Sequence, residues 1–170
     1  TAFAKDAQFI SLNTARHDAG KHRALPLVGD AKLGLRALTQ QMGGYRAPGA
    51  WLDEAQAERR KWDAYVAQNV KPGNRPNSYA QAIGVVNALC DPRDRVVAAA
   101  GGLPAEVTAN WRTLDIGTVD VEFGFSCMGY EIAGGWGARI AQSELEPAQD
   151  TIVFTGDGSY MLMNSDIYSS

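Results

Sequence analysis

The sequence lacks the features that mark several large classes of protein. It has only two cysteines, Cys90 and Cys127, which do not suggest a disulfide framework and favour a reduced, cytoplasmic compartment. No apolar run approaches the length of a membrane span, and no signal-peptide pattern opens the chain. The net charge is −3 and there is no long basic run, so neither a nucleic-acid partner nor a membrane partner is expected.

The composition is that of a globular protein, with 45% apolar and 21% charged residues. The 170 residues suffice for one ordinary domain or two small ones. No Gly-x-Gly-x-x-Gly follows a predicted strand, which argues against a dinucleotide-binding domain. The chain opens at Thr1 without a methionine and stops at Ser170 inside a helical pattern, so we expect a segment of a longer protein.

The stretch from residue 151 to 163 predicts a strand, a glycine turn and a helix. Five apolar or β-branched residues are typical of a buried parallel strand, and an apolar helical pattern follows the turn. The turn consists of Gly156, Asp157, Gly158 and Ser159. Backbone N–H groups at such a helix N-terminus attract phosphate, and Mg²⁺ commonly bridges a carboxylate to phosphates. The alternative is an ordinary turn in which Asp157 caps the helix.

Residues 78–89 predict a helix that opens with a capping box at Ser78 and buries Tyr79 and Leu89. A strand follows at residues 95–100, and a second glycine turn comes directly after it. Gly101 and Gly102 stand where parallel sheets bind ligands, although a simple turn explains them equally well. Residues 118–123 predict either a third strand or an extended approach to Gly124. Residues 128–142 predict a glycine-rich helix that packs very closely on a sheet or a partner chain. Right-handed crossovers would bring the turns at 101–102 and 156–159 to the same edge of one sheet.

The first part of the chain predicts strands at 8–13 and 25–28, a polar loop at 14–23 between them, and a helix that Asp30 caps, with Leu33 on its buried face. Glycine and proline then mark linkers at residues 43–49 and 72–77. The helix between the linkers is amphipathic, with Leu52, Trp62 and Val66 on its apolar face. We therefore divide the chain into residues 1–45, 46–77 and 78–170. The fold class is α/β, with three-layer, Rossmann-like parallel-sheet pieces of two adjacent domains.

From residue 78 onward the sequence resembles the thiamine-diphosphate-dependent enzymes of the acetolactate-synthase type. The Ser-Cys-Met-Gly-Tyr run at 126–130 is similar to their Gly-x-Met-Gly-(aromatic) segment, and Gly-Asp-Gly-Ser is similar to the start of their metal-diphosphate motif. Residues 9–42 are similar to the end of their middle domain. The resemblance thus implies the end of a middle domain in 1–45, a linker with its helix in 46–77, and the first half of the diphosphate-binding domain in 78–170.

Within this family, residues 121–131 are most similar to the trihydroxycyclohexane-dione hydrolases of myo-inositol catabolism, which open a cyclic dione by cleaving a C–C bond. The resemblance implies an enzyme with thiamine diphosphate and Mg²⁺ as cofactors, a small cyclic dione as substrate and a homo-oligomeric assembly. An acetolactate-synthase-like carboligase or decarboxylase, and a non-catalytic α/β dimerisation module, remain alternatives.

The resemblance also implies roles for single residues. Asp157 matches the Mg²⁺ ligand, and Met128 matches the apolar residue that holds the cofactor bent. Taken by itself, a methionine there would be a core residue on a packed helix, but beside the turn at 156–159 we favour the cofactor role. The carbonyl of Ser126 and the N–H of Met128 match contacts to the aminopyrimidine. The remaining candidate cofactor-binding residues are Gly101, Gly102, Gly156, Gly158 and Ser159.

The chain also departs from the family pattern. Ala133 stands where the family usually has proline. The second metal ligand and the glutamate that activates the cofactor match no position in this chain, so no catalytic residue is assigned to it. We expect the 170-residue segment to be inactive by itself.

Overall fold

The structure is a computed structural model that describes residues 3–73, 75–145 and 148–169. Its internal contacts divide the chain into two compact units, residues 1–54 and residues 55–170. None of the helices in these described ranges is long and apolar enough to cross a membrane.

The first unit is built on two parallel strands, whose register pairs Ile10 with Leu25. Asp30 caps the helix that follows them, because its Oδ1 accepts a hydrogen bond of 2.9 Å from the N–H of Leu33. The predicted loop at 14–23 instead contains a short helix and a 3₁₀ turn. The elements are β1 (Ile10–Asn13), α1 (Arg16–Ala19), a 3₁₀ turn (Lys21–Arg23), β2 (Leu25–Val28) and α2 (Ala31–Met42).

A long helix, α3 (Gly49–Asn69), occupies most of the predicted linker region. Val66 is its buried residue, whereas Leu52 and Trp62, predicted to share the same buried face, are half exposed. The face predicted for α2 is also more open than expected, since Leu33 is 63% exposed. Periodicity identified the faces of these helices but not the extent to which other residues cover them.

The second unit alternates helices and strands, as the sequence predicts. A capping box opens its first helix, in which the side chains of Ser78 and Gln81 each accept a hydrogen bond from the backbone N–H of the other. The elements are α4 (Tyr79–Leu89), β3 (Arg95–Ala98), α5 (Gly102–Asn110), β4 (Val119–Val121), α6 (Tyr130–Leu145), β5 (Thr151–Phe154) and α7 (Asp157–Ser169).

The three strands of this unit form one parallel sheet in the order β4-β3-β5. Ala98 pairs with Val121 on one side and with Phe154 on the other, so the three strands end level with one another. The predicted parallel pairing of the strands at 95–100 and 151–155 is therefore confirmed.

Helices cover both faces of this sheet. On one face, Val96 and Ala98 pack with Ile83 of α4 and Val107 of α5 in a fully buried cluster. Side chains of successive strand residues alternate between faces, so Val153 points away from this cluster, toward α6. The α/β fold class is thus confirmed, with three layers in this unit.

The closest approach between α6 and the sheet occurs at Gly135. A Cβ atom added there would lie 2.4 Å from Cγ2 of Val153, far inside normal contact distance. The predicted reason for glycine in this helix is therefore correct: the missing side chain lets the helix pack directly on β5. Gly137, two residues further along, has no atom within 4 Å of an added Cβ.

We predict opposite effects of alanine at these two glycines. Gly135→Ala should destabilise the fold by about 1–3 kcal/mol, because the β-branched Val153 side chain is stiff and cannot swing away. Gly137→Ala should stabilise it by roughly 0.5–1 kcal/mol, the usual gain of alanine over glycine in an open helix position. Urea unfolding of both variants measures the difference. Val153→Ala should restore most of the stability lost in Gly135→Ala, and equal stability of the two single variants would contradict the packing.

Candidate functional site

Three loops meet at one edge of the second unit's sheet, because the three parallel strands end level there. Gly101 and Gly102 follow β3 and lead into α5. The segment at 122–129 follows β4 and leads into α6, and the segment at 155–156 follows β5 and leads into α7. The two glycine turns lie at the same edge, as predicted.

The turn after β5 presents an exposed carboxylate at a helix N-terminus. The helix α7 begins at Asp157, and its first helical hydrogen bond runs from the N–H of Tyr160 to the carbonyl of Gly156 at 2.9 Å. Asp157 is therefore not the residue that precedes and caps the helix, so the N-cap alternative is wrong. Its Oδ1 accepts a hydrogen bond of 2.9 Å from the N–H of Gly158, and the side chain is exposed.

The same edge has room for a bound anion. A Cβ atom added at Gly102, Gly156 or Gly158 would have no neighbour within 4 Å. Apart from Gly158, whose N–H donates to the Asp157 side chain, the first N–H groups of α7 have no backbone acceptor within the helix. The helix dipole adds partial positive charge at this end. Open glycines beside a helix N-terminus are a chemically suitable environment for a diphosphate group.

Glu122, which directly follows β4, organises the next turn. Its Oε1 accepts a hydrogen bond of 2.9 Å from the N–H of Phe125, and its Oε2 accepts one of 2.8 Å from the N–H of Cys127. These two N–H groups, Phe125 first, lower the pKa of the Glu122 carboxyl. Between them Ser126 adopts the uncommon φ of +57°, so the carboxylate fixes a conformation that the chain would rarely adopt unaided.

Met128 lies at the end of this turn, before α6 begins at Tyr130. The helix is thus shorter at its start than predicted. The Met128 residue is 53% exposed, so its reading as a core residue on a packed helix is wrong. The turn therefore exposes a large apolar side chain at the sheet edge where the two glycine turns also lie.

Gly129 brings the turn at residues 122–129, called the Met128 turn from here on, against α7. Its φ is +91°, and an added Cβ would lie 2.4 Å from Cγ of Met163. Only glycine combines this backbone conformation with such a close approach. The turn after β4 therefore packs directly against α7, the helix that follows β5.

A second acidic residue, which the sequence reasoning did not select, links the same two turns. Glu131 is fully buried near the start of α6. Its Oε2 accepts a hydrogen bond of 3.0 Å from the N–H of Gly129, and its Oε1 accepts one of 2.9 Å from the hydroxyl of Thr155. The sequence signal for this role is that Glu131 is the only charged residue between Gly129 and Gly135.

Asp157 stands apart from other metal-binding side chains. Within residues 3–73, 75–145 and 148–169, no group of three or more His, Cys, Asp and Glu residues could hold a metal ion. Magnesium is usually held by one or two carboxylates together with phosphate oxygens and waters, rather than by an all-protein cluster. An exposed Asp157 beside an open anion site fits that mode of binding.

A comparison with protein families finds a match to the part of the chain that contains these turns. Residues 99–169 match the family model described as thiamine pyrophosphate enzyme, C-terminal TPP binding domain. Every candidate site residue, from Gly101 to Ser159, lies inside this match.

Two bacterial relatives extend the similarity over almost the whole chain. The chain is 29% identical over 98% of its length to 3D-(3,5/4)-trihydroxycyclohexane-1,2-dione hydrolase 2 of Bacillus cereus (strain ZK / E33L). It is 32% identical over 96% of its length to the 3D-(3,5/4)-trihydroxycyclohexane-1,2-dione hydrolase of Geobacillus thermodenitrificans (strain NG80-2). The chain spans 29% and 28% of the lengths of these relatives. The resemblance stated from the sequence is thereby confirmed.

We predict that the Phe125–Cys127 turn depends on pH through Glu122. The folded-state pKa of this carboxyl is lowered, so its stabilising effect is present above the pKa of an unfolded glutamate and is lost as pH falls through the folded value. The amide NMR signals of Phe125 and Cys127 should titrate together, with an apparent pKa below that of an ordinary glutamate. Glu122→Gln should abolish this titration. Signals that titrate at the ordinary glutamate value, or unchanged in the variant, would refute the assignment.

Proposed function

We propose that residues 78–170 form the first half of the diphosphate-binding domain of a thiamine-diphosphate- and Mg²⁺-dependent enzyme, and that residues 1–45 are the end of a preceding domain. The observation that carries the proposal is the meeting of the Asp157 turn and the Met128 turn at one sheet edge. The family match over residues 99–169 supports it.

The residues present suit the two ends of the cofactor. Asp157 would ligate Mg²⁺, and the N–H groups of Gly158 and Ser159 would bind the diphosphate at the start of α7. Gly101, Gly102 and Gly156 would let the phosphates approach the backbone closely. At the other end, the carbonyl of Ser126 and the N–H of Met128 would contact the aminopyrimidine ring, with the Met128 side chain against the bent cofactor.

The reaction proposed for the whole protein is hydrolytic opening of a cyclic 1,2-dione by C–C cleavage. The names of the relatives describe those enzymes as hydrolases of a trihydroxycyclohexane-1,2-dione. When bound, thiamine diphosphate supplies the carbon nucleophile and the electron sink that this bond cleavage needs. The residues of this chain bind, orient and bend the cofactor. The relatives' names favour this hydrolase over an acetolactate-synthase-like carboligase.

The assembly and location of the whole protein are proposed from its surface and composition. On α6, Trp136 and Ile140 are about half exposed, which favours a homo-oligomer in which a second copy covers them. Cys90 and Cys127 are both free thiols, in keeping with the cytoplasm. A small molecule, rather than nucleic acid or membrane, is the proposed binding partner.

We predict that Asp157→Ala abolishes Mg²⁺-dependent binding of thiamine diphosphate by the full-length protein without unfolding it. Loss of an indirect, outer-shell partner typically weakens metal binding about 10- to 100-fold, so loss of a direct ligand should cost about 100-fold or more. Calorimetric titration with and without Mg²⁺ measures the effect, and Asp166→Ala on the same helix is the control. Undiminished Mg²⁺-dependent binding by Asp157→Ala would remove Asp157 from the metal site.

We predict that Met128→Ala lowers kcat roughly 10- to 100-fold, because a cofactor that is no longer held bent places its reacting groups imperfectly. The requirement for Mg²⁺ should not change, since the diphosphate end is untouched. Met128→Leu, which restores a large apolar side chain, should recover most of the rate. Equal kcat for the alanine variant and the parent would show that Met128 does not shape the cofactor.

A further inference from the structure

Glu131 is the most deeply buried acidic side chain near the candidate site. Its relative exposure is 0%, and its two carboxyl oxygens accept separate hydrogen bonds from different parts of the chain. Burying such a group is costly unless it is fully hydrogen-bonded, and an apolar residue would fill a helix–sheet contact at lower cost. A role beyond filling space would account for the carboxyl group here.

The two hydrogen bonds connect Glu131 to both of the candidate turns. Gly129, which donates to Oε2, directly follows Met128, and Thr155, which donates to Oε1, directly precedes the turn that contains Asp157. One rigid side chain therefore spans from the turn proposed for the pyrimidine end of the cofactor to the turn proposed for its diphosphate end.

We infer that Glu131 is a positioning residue that sets the separation between the Met128 turn and the Asp157 turn, and so pre-forms the site for the bent cofactor. This inference rests on the proposed function of those turns. A site held at the right spacing before binding loses less affinity to the ordering of loops. Glu131 itself would not touch the cofactor, because its carboxyl oxygens are occupied by Gly129 and Thr155.

The chain contains a matched contact that lacks this role. Further along the same helix, the buried Gln142 accepts a hydrogen bond through Oε1 from the hydroxyl of Thr151, at the start of the same strand. The chemistry is alike, a β5 threonine that donates to a buried α6 side chain. Gln142 lies about three helical turns beyond Glu131, at the opposite end of β5 from the candidate site.

The test compares two valine variants of the full-length protein. Thr155→Val removes the hydroxyl that donates to Glu131, and Thr151→Val removes the one that donates to Gln142. The dissociation constant of thiamine diphosphate at saturating Mg²⁺ is measured by calorimetry, and the unfolding temperature of each cofactor-free variant is measured alongside it. Thr155→Ser, which keeps the hydroxyl, is the conservative rescue.

We expect both valine variants to unfold at similarly lowered temperatures. The dissociation constant should rise roughly tenfold in Thr155→Val, at the upper end of the usual scale for losing one hydrogen bond, and stay within about twofold of the parent in Thr151→Val. Thr155→Ser should bind like the parent. Equal dissociation constants for the two valine variants would overturn the inference and leave Glu131 as a structural residue only.

Two other results of these experiments also have a clear interpretation. If Thr155→Val does not fold, Glu131→Met is compared with Gln142→Met, and equal dissociation constants for that pair also overturn the inference. If the parent protein does not bind thiamine diphosphate in the presence of Mg²⁺, the proposed function fails, and the inference fails with it. Binding by the parent with no difference between the matched variants contradicts the inference alone.

Discussion

The parallel pairing of β3 with both β4 and β5 is the constraint on which the candidate site depends. Parallel strands in level register deliver every following loop to the same edge, so segments distant in sequence meet there. Gly101, the Met128 turn and the Asp157 turn share that edge for this reason alone. The proposed anion site and the exposed Met128 side chain lie on different loops, and the sheet brings the two together.

The helix α6 then fixes the distances between these turns and the sheet. Gly135 lets it lie directly on Val153 of β5, which fixes its distance from the sheet. Glu131, one turn earlier, hydrogen-bonds to the backbone on one side and to the end of β5 on the other. The Ser126 backbone conformation is held in turn by Glu122. Two carboxyl groups thus hold the backbone of the turn from Phe125 to Gly129.

Much of the second unit could be predicted because its signals are local. The capping box at Ser78 and the strand that begins at Arg95 depend on neighbouring residues only, and both are present. The same holds for the Gly-Asp turn after β5. The close packing predicted from several costly glycines in one helix is present at Gly135, whereas Gly137 is open.

The rest depends on contacts between distant residues, which local patterns do not encode. Glu131 meets Thr155 across 24 positions of the sequence, and only the folded sheet shows that this carboxyl group is internal. Burial was overestimated for the same reason. Tyr79 and Leu89 of α4 are 60% and 82% exposed, because helical periodicity identifies a face without showing what covers it.

If the turns after β4 and β5 hold opposite ends of one cofactor, a crystal structure should show both contacts at once. The decisive crystal is that of the full-length protein with thiamine diphosphate and with Mn²⁺ in place of Mg²⁺. The anomalous signal of the metal should lie at the Asp157 carboxylate, with the diphosphate at the start of α7 and the pyrimidine ring beside Ser126 and Met128. A metal or cofactor bound away from this sheet edge would contradict the account.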